Sequence, residues 1–204
     1  MKLKMTDEMV EIMKLQRTGA VKAADPVHVF QKNLEEDFDM IAPHLPANVK
    51  NILDIGCGIG GIDLYLWRYY RCGLSLMDKN EVEKEIKYGY RSETSAYNKL
   101  DLTREFLKMN GVDGEVYAYE AHTGWKFPCR FDVILSLISC GFHYPVDTYL
   151  NMISDYLHPW GVVILDVRKH SGQIETLKRQ FKNVHTIKDF EKHERVKCYE
   201  NIVG

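Results

Sequence analysis

The stretch NILDIGCGIGGIDLYLW, from Asn51 to Trp67, decides the fold of this chain. It begins with an apolar run that contains one acidic residue, passes through glycines at positions 56, 58, 60 and 61, and continues with apolar residues at helical spacing. This pattern predicts a buried strand, a glycine loop and a helix. Because glycine lets a ligand approach the backbone N–H groups at the start of a helix, the loop indicates a binding site.

Short apolar runs alternate with helical stretches from this point on, which is the pattern of βα units around a parallel sheet. The predicted strands are 51–55, 73–77, 115–119, 131–137 and 161–167, with two further strands at 184–187 and 196–199. The predicted helices are 62–71, 95–110 and 146–157, and Ile174, Leu177 and Phe181 mark another. The charged stretch that follows the second strand is either a loop over the site or part of an extra helix.

Two helices precede the glycine loop. Thr6 is a candidate N-cap for a helix over residues 7–17 that stops at Gly19. Apolar residues at positions 30, 34, 38, 41 and 45 predict a second helix, which ends before Pro46.

The chain therefore divides into an N-terminal helical extension, residues 1–48, and a main domain, residues 49–204. We expect the extension to form a lid, with Met13, Phe30 and Phe38 closing over a small ligand. The alternative is that both helices only cover the sheet.

Two cofactor patterns overlap in the glycine loop. Gly56, Gly58 and Gly61 satisfy GxGxxG, which is typical of dinucleotide binding, whereas the run from Asp54 through Gly56, Gly58 and Gly60 satisfies DxGxGxG. Asp54 separates the two, because a carboxylate there repels a pyrophosphate and attracts a cationic ligand with an amino group and a sulfonium. This favours S-adenosylmethionine.

The run from Asp54 to Gly60 resembles motif I of the class I S-adenosylmethionine-dependent methyltransferases, and the element order over residues 51–167 is similar to that family as well. The resemblance implies an α/β, Rossmann-like sheet of seven strands, mostly parallel with an antiparallel C-terminal strand, and helices on both faces. It also implies that S-adenosylmethionine is the cofactor and S-adenosylhomocysteine the product.

The resemblance assigns eight residues to cofactor binding. They are Asp54, Gly56, Gly58, Gly60, Asp78, Glu120, Ala121 and Ser136. Asp78 ends the second strand, where a carboxylate accepts two hydrogen bonds from the ribose hydroxyls. Glu120 and Ala121 end the third strand near the adenine, although His122 and Thr123 are an equally placed polar pair.

The loop after the fourth strand, which contains Ser139-Cys-Gly-Phe-His-Tyr-Pro145, is the expected acceptor site. We predict His143 as general base, because imidazole titrates near neutrality, and Tyr144 as a residue that orients an acceptor hydroxyl. The alternatives are that His143 hydrogen-bonds a neighbouring carbonyl and shapes the loop, and that Tyr144 packs. His170, after the fifth strand, is a second active-site candidate.

These features favour transfer of a methyl group to a hydroxyl of a small molecule. The loop Gly141-Phe-His-Tyr-Pro145 is loosely similar to loops in sugar-directed members of the family, and this resemblance implies a sugar or another polyhydroxylated metabolite as the acceptor. An N-methyltransferase on the same fold remains an alternative, since a deprotonated amine needs no strong base. Two other hypotheses remain: a nicotinamide-dependent oxidoreductase that uses GxGxxG, and a non-catalytic cofactor-binding subunit.

Composition restricts the remaining possibilities. The formal charge of −2 includes no long block of either sign, so nothing indicates nucleic acid as a partner. Five scattered cysteines without a CxxC pair predict a reduced, cytoplasmic chain without a structural metal. No stretch has the apolar length of a membrane span, and the charged N-terminus does not resemble a signal peptide.

Overall fold

The computed structural model describes residues 2–16, 23–86, 89–91, 95–122 and 124–202. Seven strands form one sheet in the order β3-β2-β1-β4-β5-β7-β6. The strands are β1 (Asn51–Ile55), β2 (Gly73–Asp78), β3 (Val116–Glu120), β4 (Phe131–Ser136), β5 (Leu157–Arg168), β6 (Phe181–Asp189) and β7 (His193–Asn201). Strands β1 to β5 pair in parallel, and β7 lies antiparallel between β5 and β6. The predicted fold class is confirmed.

In the described ranges, six α-helices cover the two faces of the sheet. They are α1 (Asp7–Gln16), α2 (Pro26–Ile41), α3 (Gly61–Tyr70), α4 (Leu100–Met109), α5 (Leu150–Tyr156) and α6 (Gln173–Gln180). Strand residues alternate between two apolar cores: Ile52 belongs to the core with α1 to α4, and Leu53 to the core with α5 and α6. Since successive side chains of a strand point to opposite faces, this alternation places helices on both. None of the helices in the described part is long and apolar enough to cross a membrane.

The N-terminal helices share the core of the sheet. The hydroxyl of Thr6 caps α1 by accepting a hydrogen bond from Met9 N at 3.3 Å, as predicted, and the predicted stop at Gly19 lies outside the described residues. Helix α2 starts four residues earlier than predicted, because Asp25 accepts a hydrogen bond from His28 N and Pro26 occupies the first turn. A short 3₁₀ helix, Ala42–His44, follows α2 directly and ends before Pro46.

The segment between β2 and α4 differs most from its prediction. We predicted a helix from residue 95, but α4 begins at Leu100. Residues 96–98, just before α4, pair with residues 81–83, just after β2. Glu83 N donates to Ala96 O at 2.8 Å, and Asn98 N donates to Glu81 O at 3.1 Å. This antiparallel pairing overrides the helical pattern, and it brings the segment over the carboxyl end of the sheet.

The last third of the chain differs in the lengths of its elements. Strand β5 starts at Leu157, four residues before its predicted start at Gly161, and its pairing with β4 shifts register before Val162. Helix α5 is shorter than predicted, because a 3₁₀ turn, Val146–Thr148, precedes it. The two final strands are longer than predicted, because they pair with each other over most of their length.

Candidate functional site

A cleft lies at the carboxyl ends of β1, β2 and β4. The chain proceeds from β1 to β3 on one side and from β4 onward on the other, so this is the point where the strand order reverses and where open parallel sheets bind ligands. Seven of the predicted site residues line the cleft. They are Asp54, Gly56, Gly58, Asp78, Ala121, His143 and Tyr144.

The glycine loop needs its glycines for two separate reasons. Gly56 and Gly58 have φ angles of +80° and +54°, which side chains rarely adopt. A Cβ atom at Gly56 would lie 1.9 Å from the hydroxyl oxygen of Ser139, and one at Gly58 would lie 2.7 Å from Oε1 of Gln16. The loop is therefore closely packed between the segment after β4 and the end of α1.

Asp78 receives several hydrogen bonds at the edge of this loop. Its carboxylate accepts from Gly58 N at 2.7 Å, from Lys79 N at 2.8 Å and from Asn98 Nδ2 at 3.2 Å. Burial raises the pKa of Asp78 to about 6, and these donors limit the rise. The side chain is therefore mainly ionised at neutral pH, with its carboxylate at the wall of the cleft.

A second acidic group lies beneath the loop. Asp54 is 2% exposed, and Asp63 in the first turn of α3 is fully buried. Burial raises the pKa of Asp63 to about 7, and the neighbouring Asp54 side chain limits the rise. Two buried carboxyl groups this close favour sharing a proton, because two adjacent negative charges are costly in a poorly solvated site.

The sequence did not identify two amides that contact the loop. Gln16, the last residue of α1, accepts a hydrogen bond from Ile59 N at 3.0 Å. Asn98, which is 1% exposed, donates to Gly58 O at 2.7 Å, and Thr103 donates to the same oxygen at 2.8 Å. Only the unusual burial of a polar residue just before a helix distinguishes Asn98, and burial is not visible in a single sequence.

Residues 137–145 form the β4 loop, which is anchored to β5. Asp166 Oδ2 accepts a hydrogen bond from Ile138 N at 3.2 Å, where Ile138 has a φ angle of +56°. Arg168 N donates to Gly141 O at 2.9 Å, and its guanidinium donates to Phe142 O at 2.9 Å and lies over the Phe142 ring. Both the backbone and the ring of Phe142 therefore contact Arg168 of β5.

Asp166 itself belongs to a buried ion cluster. Arg195 on β7 donates to Asp166 through Nε at 2.7 Å and through Nη2 at 2.9 Å. Its Nη1 donates to Asp37 of α2 at 2.7 Å. The cluster thus connects the N-terminal extension to the β4 loop through side chains of β5 and β7.

His143 and Tyr144 both line the cleft. His143 Nδ1 lies 3.3 Å from Gly89 O, which can only accept, so this contact requires the proton on Nδ1 and leaves Nε2 as the basic nitrogen. Burial lowers the pKa of His143, which keeps the ring neutral at pH 7. The Tyr144 hydroxyl lies 3.2 Å from that of Ser139, and burial raises the pKa of Tyr144 well above its usual range.

Other predicted residues lie outside the lining of the cleft. Gly60 is the N-cap of α3 and faces Thr103 and Leu107 of α4. Glu120 is exposed at the end of β3, and Ser136 is buried beneath the cleft, where it donates to Ile55 O at 2.5 Å. Thr123 lies outside the described residues.

The remaining candidates are the residues of the expected lid and two histidines, and they also differ in whether they line the cleft. Phe30 lines the cleft, whereas Met13 lies in the core and Phe38 packs against Tyr65 and Tyr69. His122 stacks on Trp125, and both His122 and His170 are exposed and away from the cleft lining. Within the described ranges, no group of three or more His, Cys, Asp or Glu side chains is arranged to hold a metal ion.

No family model and no curated protein matches the chain. Among solved structures, 597 chains match. Precorrin-6y C5,15-methyltransferase from Geobacter metallireducens GS-15 has a TM-score of 0.56 and 13% identity, with 79% of this chain and 86% of that chain covered.

Two further structures are similar to this chain. An O-methyltransferase family protein from Burkholderia thailandensis has a TM-score of 0.60 and 10% identity, with 97% of this chain and 72% of that chain covered. The T. thermophilus 16S rRNA N2 G1207 methyltransferase, in complex with AdoMet and guanosine, has a TM-score of 0.57 and 15% identity, with 88% and 44% covered. The chain therefore has the fold of the class I methyltransferases, and the neighbours act on different acceptors.

Proposed function

We propose that this chain is an S-adenosylmethionine-dependent methyltransferase that acts on a hydroxyl group of a small molecule. One arrangement carries the proposal: the buried Asp54 and the partly exposed Asp78 flank a glycine loop in a cleft that His143 also lines. The class I methyltransferase fold supports it as well.

The residues present fit this cofactor. Asp78 offers a carboxylate at the end of β2, and a carboxylate suits two neighbouring ribose hydroxyls. Asp54 lines the cleft below the loop, where a carboxylate suits an ammonium and a sulfonium and opposes a pyrophosphate. Ala121 lines the cleft with a small side chain where an adenine needs space. The nicotinamide alternative is therefore not favoured.

When bound, S-adenosylmethionine supplies an electrophilic methyl group. The chain's own residues then hold the acceptor close and accept its proton. His143 is suited to this task, because its ring is neutral at pH 7 and its Nδ1 contact with Gly89 O orients it. Phe30, Leu34 and Tyr149 line the same cleft and help to exclude water.

The acceptor class that we propose is a sugar or another polyhydroxylated metabolite. The hydroxyls of Ser139 and Tyr144 lie in the cleft lining and offer hydrogen bonds to such a molecule. A hydroxyl also needs a base, which an amine does not, and His143 supplies one.

Cofactor binding is tested by calorimetric titration with S-adenosylhomocysteine. We expect clear binding by the wild-type protein and at least about tenfold weaker binding by Asp78→Ala, because two hydrogen bonds to a charged group are lost. The exposed Asp101→Ala variant is the matched control. Binding of NADH without any binding of S-adenosylhomocysteine would return the loop to the oxidoreductase alternative.

Acceptor chemistry is tested by transfer of a labelled methyl group to a panel of polyhydroxylated metabolites and amines. With a hydroxyl acceptor, His143→Ala should lower turnover by about 100-fold or more and leave the affinity for S-adenosylhomocysteine unchanged. His158→Ala, at the opposite end of the sheet, is the control. Unchanged turnover in His143→Ala would disprove the role of this residue, and transfer to amines alone would favour the N-methyltransferase.

A further inference from the structure

A chain of hydrogen bonds connects the N-terminal helix to Asp78. Gln16 Oε1 accepts from Ile59 N at 3.0 Å, and Gln16 Nε2 donates to Asn98 Oδ1 at 3.1 Å. Asn98 Nδ2 then donates to Asp78 Oδ2 at 3.2 Å and to Gly58 O at 2.7 Å. Two carboxamides thus lie in series between the glycine loop and the carboxylate at the end of β2.

The direction of every bond in this chain is fixed by end groups that can only donate or only accept. The N–H of Ile59 can only donate, so the carboxamide oxygen of Gln16 must face it and the NH₂ group must face Asn98. The NH₂ of Gln16 in turn requires the oxygen of Asn98, which leaves the NH₂ of Asn98 for Asp78 and Gly58 O. Gly58 O and the Asp78 carboxylate can only accept and require the same orientation, so Gln16 and these acceptors together hold the NH₂ of Asn98 toward Asp78.

Helix α1 holds Gln16 firmly in this position. Met9 and Met13 are fully buried in the core, and Thr6 caps the first turn of the helix. Before the helix, Lys4 N donates to Asn110 Oδ1 at 2.9 Å and Lys4 O accepts from Asn110 Nδ2 at 2.8 Å. A side chain on a rigid element gives a well-defined geometry to the groups that it orients.

We infer that Gln16 is a positioning residue of the cofactor site, which acts through Asn98 to orient the Asp78 carboxylate and the glycine loop. The inference rests on the proposed function, because Asp78 is its expected contact to the cofactor. The N-terminal extension is then part of the cofactor site in addition to covering one face of the sheet.

The sharpest test is Gln16→Glu, because it separates the two contacts of this side chain. A glutamate still accepts from Ile59 N, but it presents an oxygen to Asn98 Oδ1 where the wild-type protein presents a donor. The two facing oxygens repel each other, and this displaces Asn98 from its bonds to Asp78 and Gly58 O. We expect the affinity for S-adenosylhomocysteine to fall about tenfold while the melting temperature changes little.

Asn98→Ala provides the background that distinguishes this mechanism from a general structural effect. Alanine at position 98 has no oxygen to face the introduced carboxylate. Gln16→Glu should therefore change the affinity by less than about twofold in that background. Glu11→Gln, an exposed single-charge change on the same helix, is the control and should leave the affinity unchanged. If Asn98→Ala does not fold, the apolar Gln16→Met variant of similar size is used, and it should lose affinity about threefold.

The possible outcomes separate the two proposals. A wild-type protein that does not bind S-adenosylhomocysteine overturns the proposed function and this inference together. Wild-type binding with an unchanged affinity in Gln16→Glu overturns the inference alone. An equal loss of affinity with and without Asn98 also overturns it, because Gln16 then acts by another route.

Discussion

The hydroxyl oxygen of Ser139 lies 1.9 Å from the position that a Cβ atom at Gly56 would occupy. Ser139 belongs to the β4 loop, and Gly56 begins the glycine loop, so the two halves of the cleft meet without space for a single methyl group. The missing side chain at Gly56 therefore serves the packing of two loops as well as the turn itself.

We expect Gly56→Ala to abolish measurable binding of S-adenosylhomocysteine, because the β4 loop must move to accept the methyl group. The substitution should also cost about 1 kcal/mol of stability for the positive φ angle and about 1–3 kcal/mol for overpacking. Calorimetric titration and urea unfolding measure the two effects.

Gly172→Ala is the matched control for this prediction. Gly172 has a φ angle of +75°, close to the +80° of Gly56, but no atom lies within 4 Å of its Cβ position. It should therefore lose about 1 kcal/mol and keep its binding. The double variant with Ser139→Gly removes the clash and should recover binding, and a double variant that stays inactive would contradict the packing explanation.

The affinity for S-adenosylhomocysteine should depend on pH through Asp78. Burial raises the pKa of this carboxyl to about 6, and only its ionised form accepts two hydrogen bonds from a ribose. As the pH falls below about 6, a proton competes with the ligand, so affinity should fall about tenfold per pH unit. Titrations between about pH 5 and pH 8 measure this, and Asp78→Asn should lose the dependence.

Asp63 should make the protein less stable as the pH rises. Its pKa of about 7 in the folded protein lies above the ordinary value of 3.8, so the folded state keeps a proton that the unfolded state has lost between these values. The free energy of unfolding is therefore highest below the unfolded pKa, falls as the pH rises through this window and levels off above about pH 7.

Asp63→Asn should remove this part of the pH dependence. We expect the loss of stability between about pH 5 and pH 8 to be smaller than in the wild-type protein by about 2 kcal/mol. Urea unfolding at both pH values measures it, with the exposed Asp101→Asn variant as control. Equal slopes in the wild-type and Asp63→Asn proteins would contradict the raised pKa.

The Arg195 cluster should contribute strongly to stability. Arg195→Met leaves the carboxylates of Asp166 and Asp37 without their guanidinium partner, and Asp166 is fully buried. Removal of one partner from a buried ion pair typically costs about 3–5 kcal/mol. Thermal and urea unfolding should show this loss.

Lys178→Met is the comparison for the ion cluster, since it breaks an exposed pair with Glu175 on α6. Exposed pairs of this kind contribute about 0–0.5 kcal/mol. A similar effect of both substitutions would show that the burial of the Arg195 cluster does not determine its contribution.

The sequence predicted the sheet well where local pattern and burial agree. Strand β1 has the predicted bounds, because its apolar run is buried on both faces and ends at the glycine loop. The segment before α4 was predicted as helix and is paired chain, because hydrogen bonds from Asn98 to Gly58 and from Ala96 to Glu83 compete with helix formation. Those partners are distant in sequence, so no local pattern reveals them.

The candidate site was also predictable where it depends on local sequence pattern, and less so elsewhere. The order of glycines and acidic residues predicted that Asp54, Gly56, Gly58 and Asp78 lie in one cleft, because parallel strands bring their carboxyl ends to one edge. The prediction for the third strand was less informative, since Ala121 reaches the cleft lining and Glu120 beside it is exposed. Adjacent residues at a strand end point in opposite directions, and the sequence leaves that register open.

The sequence by itself determined the order of elements, the parallel sheet and the residues of the glycine loop, because these follow from local periodicity and from the conformational freedom of glycine. Only the tertiary structure decided that Gln16 and Asn98 contact the loop, that Ser139 fills the space beside Gly56, and that Arg195 joins Asp166 to Asp37. These contacts join residues far apart in the chain, and they depend on side-chain packing that is fixed only when the sheet and its helices assemble.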